Sequence, residues 1–129
     1  IHKPMGFCKV DNPDELLNSE VLKGKTVTLF SGIGDPDSFE NLISSLGINI
    51  GLSFRFPDHY NYAQKDLDKI IASSQEKNID TIITTEKDAT RLYAIRNTQY
   101  AIRILILRIK LDIKNEQEFH NRLLQLYSG

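Results

Sequence analysis

The chain has 129 residues, 16 Lys+Arg against 17 Asp+Glu, three His, one Cys and a formal charge of −1. That length suits one domain with its own core, and 40% hydrophobic with 26% charged residues is globular rather than disordered composition. Balanced charge argues against a general nucleic-acid binder, and the lone Cys8 excludes a disulfide framework or Cys-rich zinc site and suits a reduced, intracellular setting.

No run approaches the roughly 20 apolar residues of a membrane span, and no secretory signal opens the chain. It begins at Ile1 with its single methionine at Met5, so a piece of a longer polypeptide is expected. Residues 1–24 lack clear periodicity and hold the Asp11-Asn12-Pro13-Asp14 turn cluster. They read as a lead-in segment or linker, with a short polar helix around Glu15 to Leu22. From Thr26 the pattern becomes regular. Thr26 to Phe30 is a β-branched and aromatic strand, and Asp35 then stands as an N-cap before Pro36 at the first helical position. Phe39, Leu42, Ile43 and Leu46 recur at helical spacing, with Gly47 as the C′ stop.

Ile48, Ile50, Leu52, Phe54 and Phe56 alternate with Asn49, Gly51, Ser53 and Arg55, which predicts a half-polar strand towards a sheet edge. Leu67, Ile70 and Ile71 mark a second helix, and Asp80 to Thr84 a short buried strand. Thr85 with Asp88 resembles a capping box opening a third helix through Leu92 and Ile95. Ala101 to Leu111 predicts a long strand, and Asn115 with Glu118 starts a last helix striped by Phe119, Leu123, Leu126 and Tyr127. Alternating strands and helices from residue 25 to 129 predict an α/β, Rossmann-like three-layer sandwich, its mostly parallel sheet having about four or five strands.

In such sheets ligands bind beyond the carboxyl ends of the strands. Three polar clusters fall there: residues 31–36, residues 56–60 and residues 84–88. The first is not a dinucleotide loop, because Asp37 stands where the third glycine belongs and acids crowd the helix start. Gly24-Lys25-Thr26 is not a P-loop, because Ser19 replaces the leading glycine and a strand follows the Thr. In the second cluster His59 can exchange a proton near neutral pH, and a carboxylate such as Asp58 can hold an imidazole in one tautomer. Metal binding is not expected, since His2, His120 and Cys8 show no ligand spacing with His59. In the third, Lys87 can meet a phosphate and Glu86 and Asp88 can accept hydrogen bonds; helix capping explains the same acids. Arg91, Arg96, Arg103 and Arg108 read as a scattered solvated face.

Together the clusters resemble the C-terminal part of the tetraacyldisaccharide 4′-kinases, the lipid A 4′-kinases of Gram-negative bacteria. That family reads Gly-Ile-Ala/Gly-x-Pro-x-x-Phe, Phe-x-Asp-His and Thr-Thr-Glu-Lys-Asp-Ala. This chain has Gly32-Ile33-Gly34-Asp35-Pro36-Asp37-Ser38-Phe39, Phe56-Pro57-Asp58-His59 and Thr84-Thr85-Glu86-Lys87-Asp88-Ala89, in that order. Tyr60 replaces a frequent second His, Ala63 a frequent capping Ser/Thr, and Arg91 a frequent Lys.

The resemblance implies a two-domain kinase moving the γ-phosphoryl of ATP, with Mg²⁺, to the 4′-hydroxyl of a tetraacyldisaccharide 1-phosphate. It implies that residues 25–129 form the C-terminal domain, with the P-loop and a catalytic aspartate on an N-terminal domain absent from this sequence. His59 then assists that aspartate, Asp58 flanks it, and Glu86, Lys87 and Asp88 lie near substrate or nucleotide. The expected partners are that P-loop domain, a lipid A precursor and a peripheral membrane surface, without nucleic acid, at the cytoplasmic face of the inner membrane. The fragment alone is expected to be inactive and to bind no cofactor. The alternative from the residues themselves is a non-catalytic α/β module binding a nucleotide or protein.

Overall fold

The computed structural model describes residues 5–9, 12–92 and 102–109. Six strands form one sheet: β1 (Met5–Lys9), β2 (Asn12–Asn18), β3 (Thr26–Ser31), β4 (Asn49–Arg55), β5 (Thr81–Thr85) and β6 (Arg103–Ile109). Helices α1 (Pro36–Ser45), α2 (Gln64–Glu76) and the single turn α3 (Glu86–Ala89) connect them, with 3₁₀ turns at Ser19–Leu22 and Thr90–Leu92. The spatial order is β2-β1-β6-β5-β3-β4. β3 to β6 are mutually parallel, whereas β1 runs antiparallel to both β2 and β6.

The α/β class and mostly parallel sheet agree with the sequence; the strand count is six rather than four or five. The difference lies at the front of the chain. The segment read as a linker contributes two strands, and Glu15 to Asn18 is strand, not helix. Phe7 pairs with Leu107 and Cys8 with Ile106, and Phe7, Cys8 and Leu22 are fully buried. Few residues in this stretch favour a strand by themselves; the exposed rung of β6 imposes it. The predicted last helix from Asn115, and Ile95 in the third, lie outside the described residues.

Alternation along the strands makes two cores, because successive side chains point to opposite faces. Val27 and Leu29 of β3 pack with Ile83, Leu105, Leu107 and Phe7 under Phe39 and Ile43 of α1. Phe30 and Ile82 face the other way, against Leu67, Ile70 and Ile71 of α2. The described helices thus cover both faces. β5 is buried along its whole length between two neighbours, while β4 alternates exposed and half-buried residues, as befits an edge.

The local signals that bound α1 hold. Asp35 Oδ1 accepts the Ser38 N–H at 3.2 Å, with Pro36 behind it at the first helical position. Gly47 takes φ +81° and donates its N–H to the Ser44 carbonyl, closing α1. Lys25 and Thr26 lead into β3, so Gly24-Lys25-Thr26 has no helix to aim amides at a phosphate.

Candidate functional site

Chain order reverses at β3: α1 carries the chain outward to β4, and α2 returns it past β3 to β5. The crevice at such a reversal, between the loops after β3 and β5, is where an open α/β sheet usually takes its ligand. Here it is closed from within. The Gly32 N–H, following β3, donates to Asp88 Oδ1 at 2.9 Å across 56 residues of sequence. The same oxygen accepts the Tyr62 hydroxyl at 3.0 Å, and Asp88 Oδ2 accepts the Thr85 hydroxyl at 2.7 Å. Thr85 Oγ1 in turn takes the Asp88 N–H at 3.1 Å, the cap expected from sequence.

Asp88 is therefore more than a first-turn acid. Its side chain is 0% exposed and ties the ends of β3, β5 and the α2 entry loop. Burial first, and then the Asp88 charge, push the Tyr62 phenol far above its usual range, so it remains a donor. Gly32 is tightly enclosed: a Cβ there would lie 2.9 Å from the Pro57 carbonyl and 3.3 Å from the Tyr62 hydroxyl. An amide already engaged by Asp88, in a space without room for a methyl group, is not a phosphate cradle. The rejection of a dinucleotide loop at residues 32–37 has its structural counterpart here.

His59 hangs from the same glycine. Its N–H donates to the Gly32 carbonyl at 3.2 Å, and its backbone is left-handed at φ +63°. That conformation is uncommon outside Gly, although Asn, Asp and His enter it more often than other residues, and such strain gathers at functional positions. Aromatic contacts brace the loop: Tyr60 stacks on Phe56 with centroids 4.7 Å apart, and Tyr62 meets Phe30, Phe56 and Tyr60 edge-on. The Tyr60 hydroxyl donates to Asp66 Oδ2, and the same oxygen accepts the Ala63 N–H. Asp66 thereby supplies the half of a capping box that reaches back to the N-cap N–H, while Ala63 offers no side-chain acceptor to the first turn.

The imidazole itself is 66% exposed at the rim. Asp58 lies beside it, with Oδ2 at 3.6 Å from Nε2, too far for a hydrogen bond. The close neighbour is Arg91, whose Nη2 stands 2.9 Å from His59 Nδ1. Arg91 is only 16% exposed; its Nη1 donates to the Gly32 carbonyl at 3.3 Å and lies 3.6 Å from Asp88 Oδ1. The group within hydrogen-bond reach of His59 is thus a guanidinium, and one expectation is corrected: Arg91 is no part of a scattered solvated face. Asp88 and Arg91 stand three residues apart, the spacing that shares one side of a helix. That spacing was the available signal.

Asp58 Oδ1 is buried without a hydrogen-bond partner among the described residues. Glu86 lies 3.3 Å from Arg108 at the end of β6, and burial raises its carboxyl above the usual range, with Arg108 opposing. Lys87 sits on the same turn, half-buried. Asp58, His59, Asp88 and Arg91 form one linked group, while Glu86 pairs towards β6. No three His, Cys, Asp or Glu side chains converge as metal ligands among the described residues. The Asp88 oxygens accept from Gly32, Tyr62 and Thr85, so this carboxylate serves the fold and is not offered to a Mg²⁺ ion.

Comparison with known proteins identifies the family. The family model for tetraacyldisaccharide-1-P 4′-kinase, LpxK, matches residues 4–128. A tetraacyldisaccharide 4′-kinase of Rickettsia canadensis is 33% identical over 116 residues, covering 85% of this chain and 34% of that protein. One from Syntrophus aciditrophicus is 29% identical over 126 residues, 98% of this chain and 33% of its own length. The crystal structure of LpxK from Aquifex aeolicus in complex with ATP superposes with a TM-score of 0.56 at 25% identity, over 97% of this chain and 35% of that one. The chain spans about a third of the length of the relatives it matches. With a family model running through β1 to β6 and all three rim motifs, the chain belongs to the tetraacyldisaccharide-1-P 4′-kinase (LpxK) family.

Proposed function

We propose that this chain is the C-terminal portion of a tetraacyldisaccharide 4′-kinase, its C-terminal domain taking in β1 and β2 as well as the residues from 25 onward, and that His59 is its contribution to the active centre. In the whole enzyme the 4′-hydroxyl oxygen attacks the γ-phosphorus of ATP, the bond to ADP breaks, and the hydroxyl proton passes to an aspartate of the P-loop domain. Phosphoryl transfer is largely positioning and charge stabilisation, so the second lobe need supply only an oriented polar group. The observation carrying this reading is the His59 ring: strained at its backbone, fastened at Nδ1, and given no hydrogen bond at Nε2 among the described residues. Closure of two lobes would bring Nε2 to the aspartate.

ATP and Mg²⁺ belong, on this reading, to the P-loop lobe, which fits a rim whose Gly32 amide and Asp88 carboxylate are already engaged. The fragment alone is then inactive. The lipid A precursor implies work at the cytoplasmic face of the inner membrane; no described helix is long and apolar enough to cross it. The test is His59→Asn in the full-length enzyme, because Asn tolerates the left-handed backbone while removing the imidazole. A fall in kcat on the order of 10²-fold with the KM for ATP nearly unchanged is expected. An unchanged kcat overturns the assignment.

A further inference from the structure

The contact at His59 Nδ1 has a chemical consequence. A guanidinium carries five N–H donors and no acceptor, so Arg91 Nη2 at 2.9 Å from Nδ1 requires the Nδ1 lone pair. The ring proton therefore sits on Nε2. Arg91 is itself fixed, 16% exposed, between the Gly32 carbonyl and the fully buried Asp88. Gly32 in turn holds the His59 N–H, so ring and guanidinium are both referenced to one peptide unit. From this geometry we propose that Arg91 is a positioning residue: anchored by Asp88 and Gly32, it holds His59 as the neutral Nε2–H tautomer with Nε2 aimed outward as a hydrogen-bond donor.

The proposal rests on the reading of His59 given above and sharpens it. Protonation of Nδ1 and the Arg91 contact exclude one another, so while Arg91 is in place His59 does not carry away the hydroxyl proton. It donates through Nε2 to the carboxylate that does, orienting that base. Asp58 Oδ2, at 3.6 Å, stands near the donor without capturing it. Lys at position 91 has one ammonium where Arg has a fork, and cannot bond Gly32 and His59 in the same plane.

The test uses full-length enzyme labelled with ¹⁵N-histidine, with long-range ¹⁵N–¹H correlation to read the tautomer. Wild type should show the His59 Nε2–H pattern, and Arg91→Met, which keeps an apolar stem, should show a mixture. In Arg91→Met kcat should drop by on the order of ten- to a hundredfold with KM for ATP nearly unchanged, while Arg91→Lys recovers part of it. A wild-type Nδ1–H pattern, or a spectrum unmoved by Arg91→Met, overturns the proposal even if His59→Asn is inactive. Conversely, a full kcat in His59→Asn removes the role of His59 while the tautomer measurement still judges the Arg91 contact. An effect of Arg91 through folding alone would lower the melting temperature without changing the tautomer, and that result also counts against it.

Discussion

Two aspartates stand at helix starts along the same rim, and they behave differently. Asp35 accepts from Ser38, three residues on, in an exposed turn; its carboxyl is lowered chiefly by the Ser38 hydroxyl. Asp88 stands inside the first turn of α3, behind its N-cap Thr85, and its carboxylate points inward and accepts from Gly32 and Tyr62, 56 and 26 residues away. One caps the start of a helix; the other joins the strand-end loops on which His59 is mounted. The difference lies in burial, because water competes freely for the first carboxylate and not for the second.

Substituting each aspartate is the strongest way to break that comparison. Asp88→Ala leaves the Gly32 amide and the Tyr62 hydroxyl without their acceptor and the Arg91 charge without its counter-ion, at a cost of about 3 to 5 kcal/mol. Urea denaturation of the full-length enzyme would measure it, and Asp35→Ala should cost only a fraction as much. Equal losses would mean that Asp88 is merely another cap. Gly32→Ala comes next. Its methyl group would press on the Pro57 carbonyl and Tyr60 Cβ, at 2.9 and 3.2 Å. A loss of about 1 to 3 kcal/mol is expected, with kcat falling as the His59 loop is displaced.

Most of the fold was legible because its signals are local. Asp35-Pro36 and Gly47 bound α1 within a few residues of themselves, and the unbroken burial of β5 matches its run of β-branched residues. β1 and β2 were not legible, since Asn12-Pro13-Asp14 reads as a turn and only pairing with β6 makes the neighbourhood a sheet. At the rim, the strand-end rule gathered the right loops but could not say which side chains meet. The Gly32–Asp88 and His59–Arg91 contacts join residues far apart in sequence, and no periodicity encodes them. Tyr60, standing where the family often has a second His, turned out to brace Phe56 and Asp66.

His59 and Asn78 offer a subtler contrast. Both have left-handed backbones, φ +63° and +58°, a region that Asn enters more readily because its short amide can bond to the local backbone. Asn78 lies just past the end of α2, an ordinary place for such a residue, whereas His59 is held there by the Gly32 carbonyl. His59→Gly should relieve the strain and raise stability by up to about 1 kcal/mol, the gain being trimmed by glycine's greater freedom when unfolded. Activity should be lost in the same protein. Thermal denaturation beside a kinase assay would show a stabilised, inactive enzyme; a destabilised variant would mean that the imidazole contact with Arg91 outweighs the backbone strain.

The smallest effect belongs to the charges on the exposed side of the rim. Arg55, ending β4, donates to Asp37 Oδ1 at 2.6 Å and to Glu40 Oε1 at 2.8 Å, clipping α1 to the edge strand. Its side chain is 48% exposed, so the cluster is screened where Asp88 is not. The Arg55 hydrogen bond is the main cause that holds the Glu40 carboxyl below its ordinary 4.5. A folded-state value below the unfolded one means that the stabilisation is present above pH 4.5 and disappears as pH falls through the lowered native value. Arg55→Gln should therefore be slightly less stable than wild type near neutrality, and the gap should close in acid and shrink in molar salt. A gap that persisted under both conditions would assign Arg55 to packing of its stem against α1, and the contrast between an exposed and a buried carboxylate cluster would lose its electrostatic basis.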